Sequence, residues 1–168
     1  TNAQKRRIVE ELSEHASVIL SVEGEVPPEL EEMRVKADYS RIHHWIASAS
    51  LLFGESSTMC SEAAVLGVPS VFINPLRLGY TTEQEQKYDL VQSFYPSELD
   101  EALGAAEELL TRSADGEFER RHNRLLSDTI DVTAMIERVA NRIMAKKPVG
   151  STAPEVSPAA ARLFGRAK

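Results

Sequence analysis

One cysteine, Cys60, occurs in 168 residues. A lone thiol excludes an intrachain disulfide framework and fits a reducing compartment, so a cytoplasmic setting is expected. No Cys/His spacing marks a structural zinc, and no metal or cofactor is expected. No run of about 18 apolar residues exists, which excludes a membrane-spanning helix. The opening TNAQKRRIVEEL is polar, without the apolar region of a signal peptide. It also lacks a starting Met, so the chain reads as a piece of a longer or processed protein. Basic residues are scarce where a nucleic-acid partner would need them. Residues 146–168 carry five bases against Glu155 alone, +4, which leaves 14 bases against 25 acids in residues 1–145, or −11. A globular part this acidic does not suit duplex nucleic acid.

What is present is an alternation of helical and extended patterns. Residues 3–16 set Ile8, Val9, Leu12 and Ala16 at helical spacing. SVILSV (17–22) reads as a buried strand, stopped by Pro27-Pro28 and followed by an acidic stretch to Met33 and a brief extended segment over 34–37. Residues 39–48 suit a helix capped by Ser40, with Trp45 on its apolar face. SLLF (50–53) is a strand, 57–67 a helix closed by Gly67 and Pro69, and PSVFIN (69–74) a third strand. The segment PLRLGYTTEQEQ reads as a loop and 89–94 as a fourth short strand. Residues 97–111 read as a helix opened by Ser97, with two more helices over 115–127 and 129–145. Strands alternating with helices imply an α/β fold, a Rossmann-like parallel sheet with flanking helices. Its first strand is expected upstream of Thr1. Residues 1–145 form the domain and 146–168 a basic tail containing Pro and Ser.

The stretch FGESSTMCSE (53–62) lies where a strand turns into a helix. A helix's first turn carries partial positive charge and amides without intrahelical acceptors, so phosphate is stabilised there. Ser56, Ser57 and Thr58 add donors of little bulk, and Glu62, one turn on, can accept two hydrogen bonds from a ribose diol. Ser57 or Thr58 with Glu62 also nearly fits an ordinary capping box. The stretch is neither GxGxxG nor a Walker sequence, and it lacks the second glycine of a nucleophile elbow. Cys60 reads as an apolar packing residue. Adjacent His43 and His44 point about 100° apart on a helix, so both cannot face one site. Arg77 can either neutralise a phosphate or serve as a plain surface residue.

GESSTMCSEAAVLGVPSVFIN resembles the nucleotide-binding signature of the C-terminal half of GT-B fold proteins. These include the non-hydrolysing UDP-N-acetylglucosamine 2-epimerases and MurG-type glycosyltransferases, enzymes of the kind used in cell-surface polysaccharide synthesis. Glu62 stands seven residues before Pro69, where those families place the glutamate that holds the ribose. GYTTEQEQKYDLV looks like the epimerase loop containing Thr-Thr-Glu. Over roughly residues 1–112 the likeness extends to an uncharacterised GT-B-like family of bacteria and archaea that shares the His-His pair and the Gly-Tyr loop. The resemblance implies a UDP-sugar ligand. Gly54, Ser56, Ser57 and Thr58 would hold the diphosphate, Glu62 the ribose and Ala37 the base edge. His44, Thr82 and Glu83 would lie near the sugar. Ser57 replaces the second glycine of the epimerase's Ser-Gly-Gly turn. The epimerase's His-Arg-Arg-Glu segment and its N-terminal domain have no counterpart. The chain therefore reads as the binding half of an epimerase or glycosyltransferase, inactive alone and completed by a partner Rossmann-like domain. The alternative is a non-enzymatic binding or assembly module. Exposed helices after residue 97 could serve a homo-oligomer.

Overall fold

The computed structural model describes residues 1–35, 39–111 and 116–145; the 146–168 tail and Ala37 lie outside them. The chain divides into two compact units, Thr1–His122 and Asn123–Lys168, each described by itself.

In the first unit, α1 (Asn2–Ser13) begins with a capping box in which the Thr1 hydroxyl accepts from the Gln4 amide while the Gln4 side chain accepts from the Thr1 amine. Its buried residues are Val9 and Leu12. After a 3₁₀ helix over Pro28–Met33 and another over Tyr39–Arg41 comes α2 (Ile42–Ala47). The remaining elements alternate: β1 (Leu52–Gly54), α3 (Ser57–Val65), β2 (Ser70–Ile73), α4 (Gly79–Tyr88), β3 (Val91–Phe94) and α5 (Leu99–Thr111). The strands form a parallel sheet in the order β1-β2-β3, with Leu52 opposite Ser70 and Ser70 opposite Val91. Parallel neighbours need crossover connections, and α3 and α4 supply them. The α/β class expected from the sequence is thus present, as a three-stranded parallel sheet flanked by helices.

Side chains alternate across a strand, and β2, buried at every residue, serves two cores. Val71 and Ile73 face α1 and α5, packing with Leu12, Ala102, Leu103, Ala106 and Leu109. On the other face Ile46 of α2, Ala63 of α3 and Val68 pack together, flanked by Leu52 and Met59. Helices therefore cover both faces, which is why β2 reads as a continuous apolar run.

Four local expectations change. SVILSV is not a sheet strand among the described residues. It forms one isolated parallel bridge, Leu20 with Arg34, and Ile19 is exposed. The Arg34 guanidinium occupies the carbonyls of Val22 and Gly24, and Pro27-Pro28 offers no amide donors to continue a ladder. Arg41, not Ser40, holds the cap position of α2, without a side-chain bond. Trp45 is 41% exposed, whereas Ile46 is the buried residue of that helix. A six-residue helix has one packed face, and Ile42 and Ile46 take it. Finally, 79–88 is helical rather than a loop.

α6 (Glu117–Asp128) starts in the first unit, where Phe118 packs against the α1/α5 core. In the second unit, α7 (Val132–Met144) is capped by Asp131, whose carboxylate accepts from the Ala134 amide at 2.9 Å.

Candidate functional site

Parallel strands joined by helices place each strand's carboxyl end and the next helix's N-terminus on one edge of the sheet. β1 ends at Gly54, where a Cβ would meet nothing within 4 Å, so the space beside the strand end is open. Ser56 caps α3: its backbone is extended and its hydroxyl accepts from the Met59 amide at 3.3 Å. The Cys60 amide goes to the Ser56 carbonyl at 3.0 Å. Helix geometry gives the amides of Ser57 and Thr58 no intrahelical acceptor. Ser56 and Thr58 are exposed and Ser57 half-buried.

The tip of α4 meets the tip of α3. The Tyr80 hydroxyl donates to the Ser57 Oγ at 2.8 Å, and α4 begins at Leu78 without any side-chain cap. Two helix N-termini thus stand side by side beyond β1 and β2. Sequence reading missed α4 because its inward face is carried by Thr81, Gln84 and Tyr88, not by aliphatic residues. Their 81-84-88 spacing was the available signal. Thr81 Oγ1 donates to the Leu78 carbonyl and Gln84 Nε2 to the Ser61 carbonyl, while Gln84 Oε1 is buried with no hydrogen-bond partner among the described residues. Thr82 and Glu83 are therefore helical residues, and Glu83 pairs with Lys87 one turn on.

Glu62 sits one turn into α3, 38% exposed, and its Oε2 lies 3.3 Å from His43 Nε2. The imidazole beside this carboxylate is that of His43. His44, the sequence-derived candidate, is exposed on α2; no hydrogen bond joins its side chain to the other site residues among those described. Packing of α2 on α3 makes the His43–Glu62 contact, since the two imidazoles leave the helix in different directions.

The neighbouring strand ends are braced. Asn74 Nδ2 donates to the Glu55 carbonyl at 3.0 Å while its Oδ1 accepts from the Leu76 amide at 2.9 Å. Arg77 lies over the Tyr95 ring at 3.9 Å and donates to the carbonyls of Asn74, Phe94 and Ser93. These contacts hold the ends of β2 and β3 together, a role that neither sequence reading of Arg77 gave it.

Gly54, Ser56, Ser57, Thr58 and Glu62 thus gather along one strand end and the first turns of α3. Tyr80 joins them as an addition the sequence did not single out. A shallow groove of about 330 Å³ between α1 and α5 is lined by Glu11, Glu14, Asp100 and Glu107. Four carboxylates disfavour an anion there. Among the described residues no His, Cys, Asp or Glu side chains converge as metal ligands would, and no helix is long and apolar enough to cross a membrane. Comparison of the chain with protein-family models, curated proteins and solved structures gave no match.

Proposed function

We propose that the first unit binds a nucleotide diphosphate sugar, with UDP-sugars the favoured class, as the nucleotide-gripping half of a GT-B-type glycosyltransferase or epimerase. The observation that carries this reading is the Tyr80–Ser57 contact, which holds two helix N-termini together at the carboxyl edge of a parallel sheet. Two partial positive ends and two hydroxyl side chains favour a diphosphate more than one helix tip alone. Glu62 lies one turn along α3, where a carboxylate can accept from a diol. In such an enzyme the same groups would stabilise the departing diphosphate, while the acid/base residues would belong to another domain.

A second reading rests on the His43–Glu62 contact and takes the Tyr80–Ser57 contact in the opposite sense. Ser57 and Glu62 already have protein partners, Tyr80 and His43, as they would in a vestigial site kept for assembly.

Thermal shift with UDP, UDP-N-acetylglucosamine, GDP-mannose and NAD separates the two. At a ligand concentration 100 times Kd, stabilisation is about 2.7 kcal/mol, a rise of roughly 5–10 °C for a chain this size. Thr58→Asp is the decisive variant. Its carboxylate in the first turn stabilises α3 by about 0.3–1 kcal/mol but repels phosphate, so the basal Tm holds or rises while the UDP response disappears. Glu62→Ala weakens the response without moving the basal Tm by more than about 1 °C, since an exposed pair contributes little. No shift with any of the four ligands supports the vestigial-site reading instead.

A further inference from the structure

The polar residues buried in the first unit gather on one face of its sheet. Ser70, Thr81 and Gln84 are the buried polar residues among those described, and all three lie in the layer where α3 and α4 cover β2 and β3. Gln84 is the junction of that layer. Its main-chain carbonyl accepts from the Leu90 amide at 3.2 Å, where the chain enters β3. Its Nε2 donates to the Ser61 carbonyl of α3 at 3.3 Å. A carbonyl accepts and never donates, so this contact fixes which end of the side-chain amide is nitrogen. The Oε1 is turned elsewhere, buried and without a partner among the described residues, on a residue only 7% exposed. β3 supplies a second such atom. Phe94 packs on the α1/α5 core, so its neighbour Ser93 points to the face under α4. Ser93 Oγ is likewise buried and without a partner among the described residues. The Ser93 amide donates at 2.9 Å to Oε1 of Glu85, the residue after Gln84, which keeps the two positions close.

We propose that α4 and β3 hold one internal water, which donates to Gln84 Oε1 and is shared with the Ser93 hydroxyl. The chemistry selects water over an ion. An amide oxygen with a carboxylate beside it disfavours an anion, and no cluster of carboxylate, imidazole or thiol groups accompanies it as a metal ion would require. A buried polar atom left unpaired generally costs more than immobilising the water that pairs it, and interior waters with two or more polar partners are ordinary components of a fold. Gln84 stands one turn along α4 from Tyr80, and Ser61 one turn along α3 from Ser57. The Gln84–Ser61 bond is therefore a second rung beneath the Tyr80–Ser57 contact, and the water extends that rung to β3. The inference is independent of any nucleotide.

A high-resolution crystal structure of the full chain tests this directly. It should show a single density peak at hydrogen-bond distance, about 2.7–3.2 Å, from both Gln84 Oε1 and Ser93 Oγ. Denaturant unfolding gives a second measurement. Gln84→Met keeps the side-chain length and removes the acceptor, while Ser93→Ala removes the hydroxyl. If one water serves both, the second substitution does little once the first is made. The unfolding constant of the double variant should then change less than the product of the single changes, by about threefold or more. Additive single effects, density that leaves both atoms dry, or a structure in which Gln84 Oε1 meets a protein donor or an ion overturns the proposal.

Discussion

The Cys60 thiol is fully buried in α3, and loss of hydration pushes its pKa up to about 12, only partly opposed by the neighbouring Ser70 hydroxyl. Its nucleophilic form is therefore scarce, in keeping with a packing residue. In the folded chain a water-soluble aromatic disulfide reagent should leave it unlabelled and react fully only after unfolding. The same burial has a pH consequence. The native state holds the thiol proton more tightly than the unfolded state, whose thiol titrates near 9.0. Stability contributed by the protonated thiol is complete below pH 9 and declines as pH rises toward 12, at no more than about 1.4 kcal/mol per pH unit. Thermal melts from pH 8 to 10.5 should show a steeper alkaline loss for the native chain than for Cys60→Ala.

At the scale of elements, the end of α3 is the most exacting position. Gly67 has φ +79, and a Cβ there would lie 2.9 Å from His122 Nδ1. The His122 Nε2 in turn sits 2.7 Å from the Val65 carbonyl at the end of α3. Gly67→Ala should cost about 1–3 kcal/mol, combining left-handed backbone strain with displacement of the ring. Denaturant melts of Gly67→Ala, His122→Ala and the double variant separate the two parts: the double variant should recover the ring term and keep the strain term. This stop signal was legible in the sequence, since Gly67 and Pro69 end an alanine-rich helix. The strands at 52–54, 70–73 and 91–94 were legible for similar local reasons; the cap of α3 was expected at Ser57 or Thr58 and is Ser56. α4 was not legible, because its inward face is carried by the polar side chains of Thr81 and Gln84, whose burial polarity alone does not announce. SVILSV misled in the opposite way: its β-branched residues promised a sheet strand, but strand formation depends on a partner ladder, and there a single bridge forms. The His43–Glu62 contact was illegible too, since it depends on how α2 docks on α3 and not on any spacing along the chain.

For the whole first unit, β2 is the shared wall of both cores. Phe72 is fully buried at its centre. Phe72→Ala should cost about 3–5 kcal/mol through lost burial and the cavity left behind, a large share of the 5–15 kcal/mol that holds an ordinary domain together. Urea titration should show the midpoint falling steeply. An unchanged midpoint would mean that the layers on the two faces of the sheet are less interdependent than their packing indicates.

Asn74 has a further bearing on binding. Its amide engages the Glu55 carbonyl with one end and the Leu76 amide with the other, so the turns after β1 and β2 are latched to each other before any guest arrives. Conformational freedom at that edge is surrendered as the polypeptide folds, not when a visitor docks, and less of the encounter's affinity is then spent on tidying the rim.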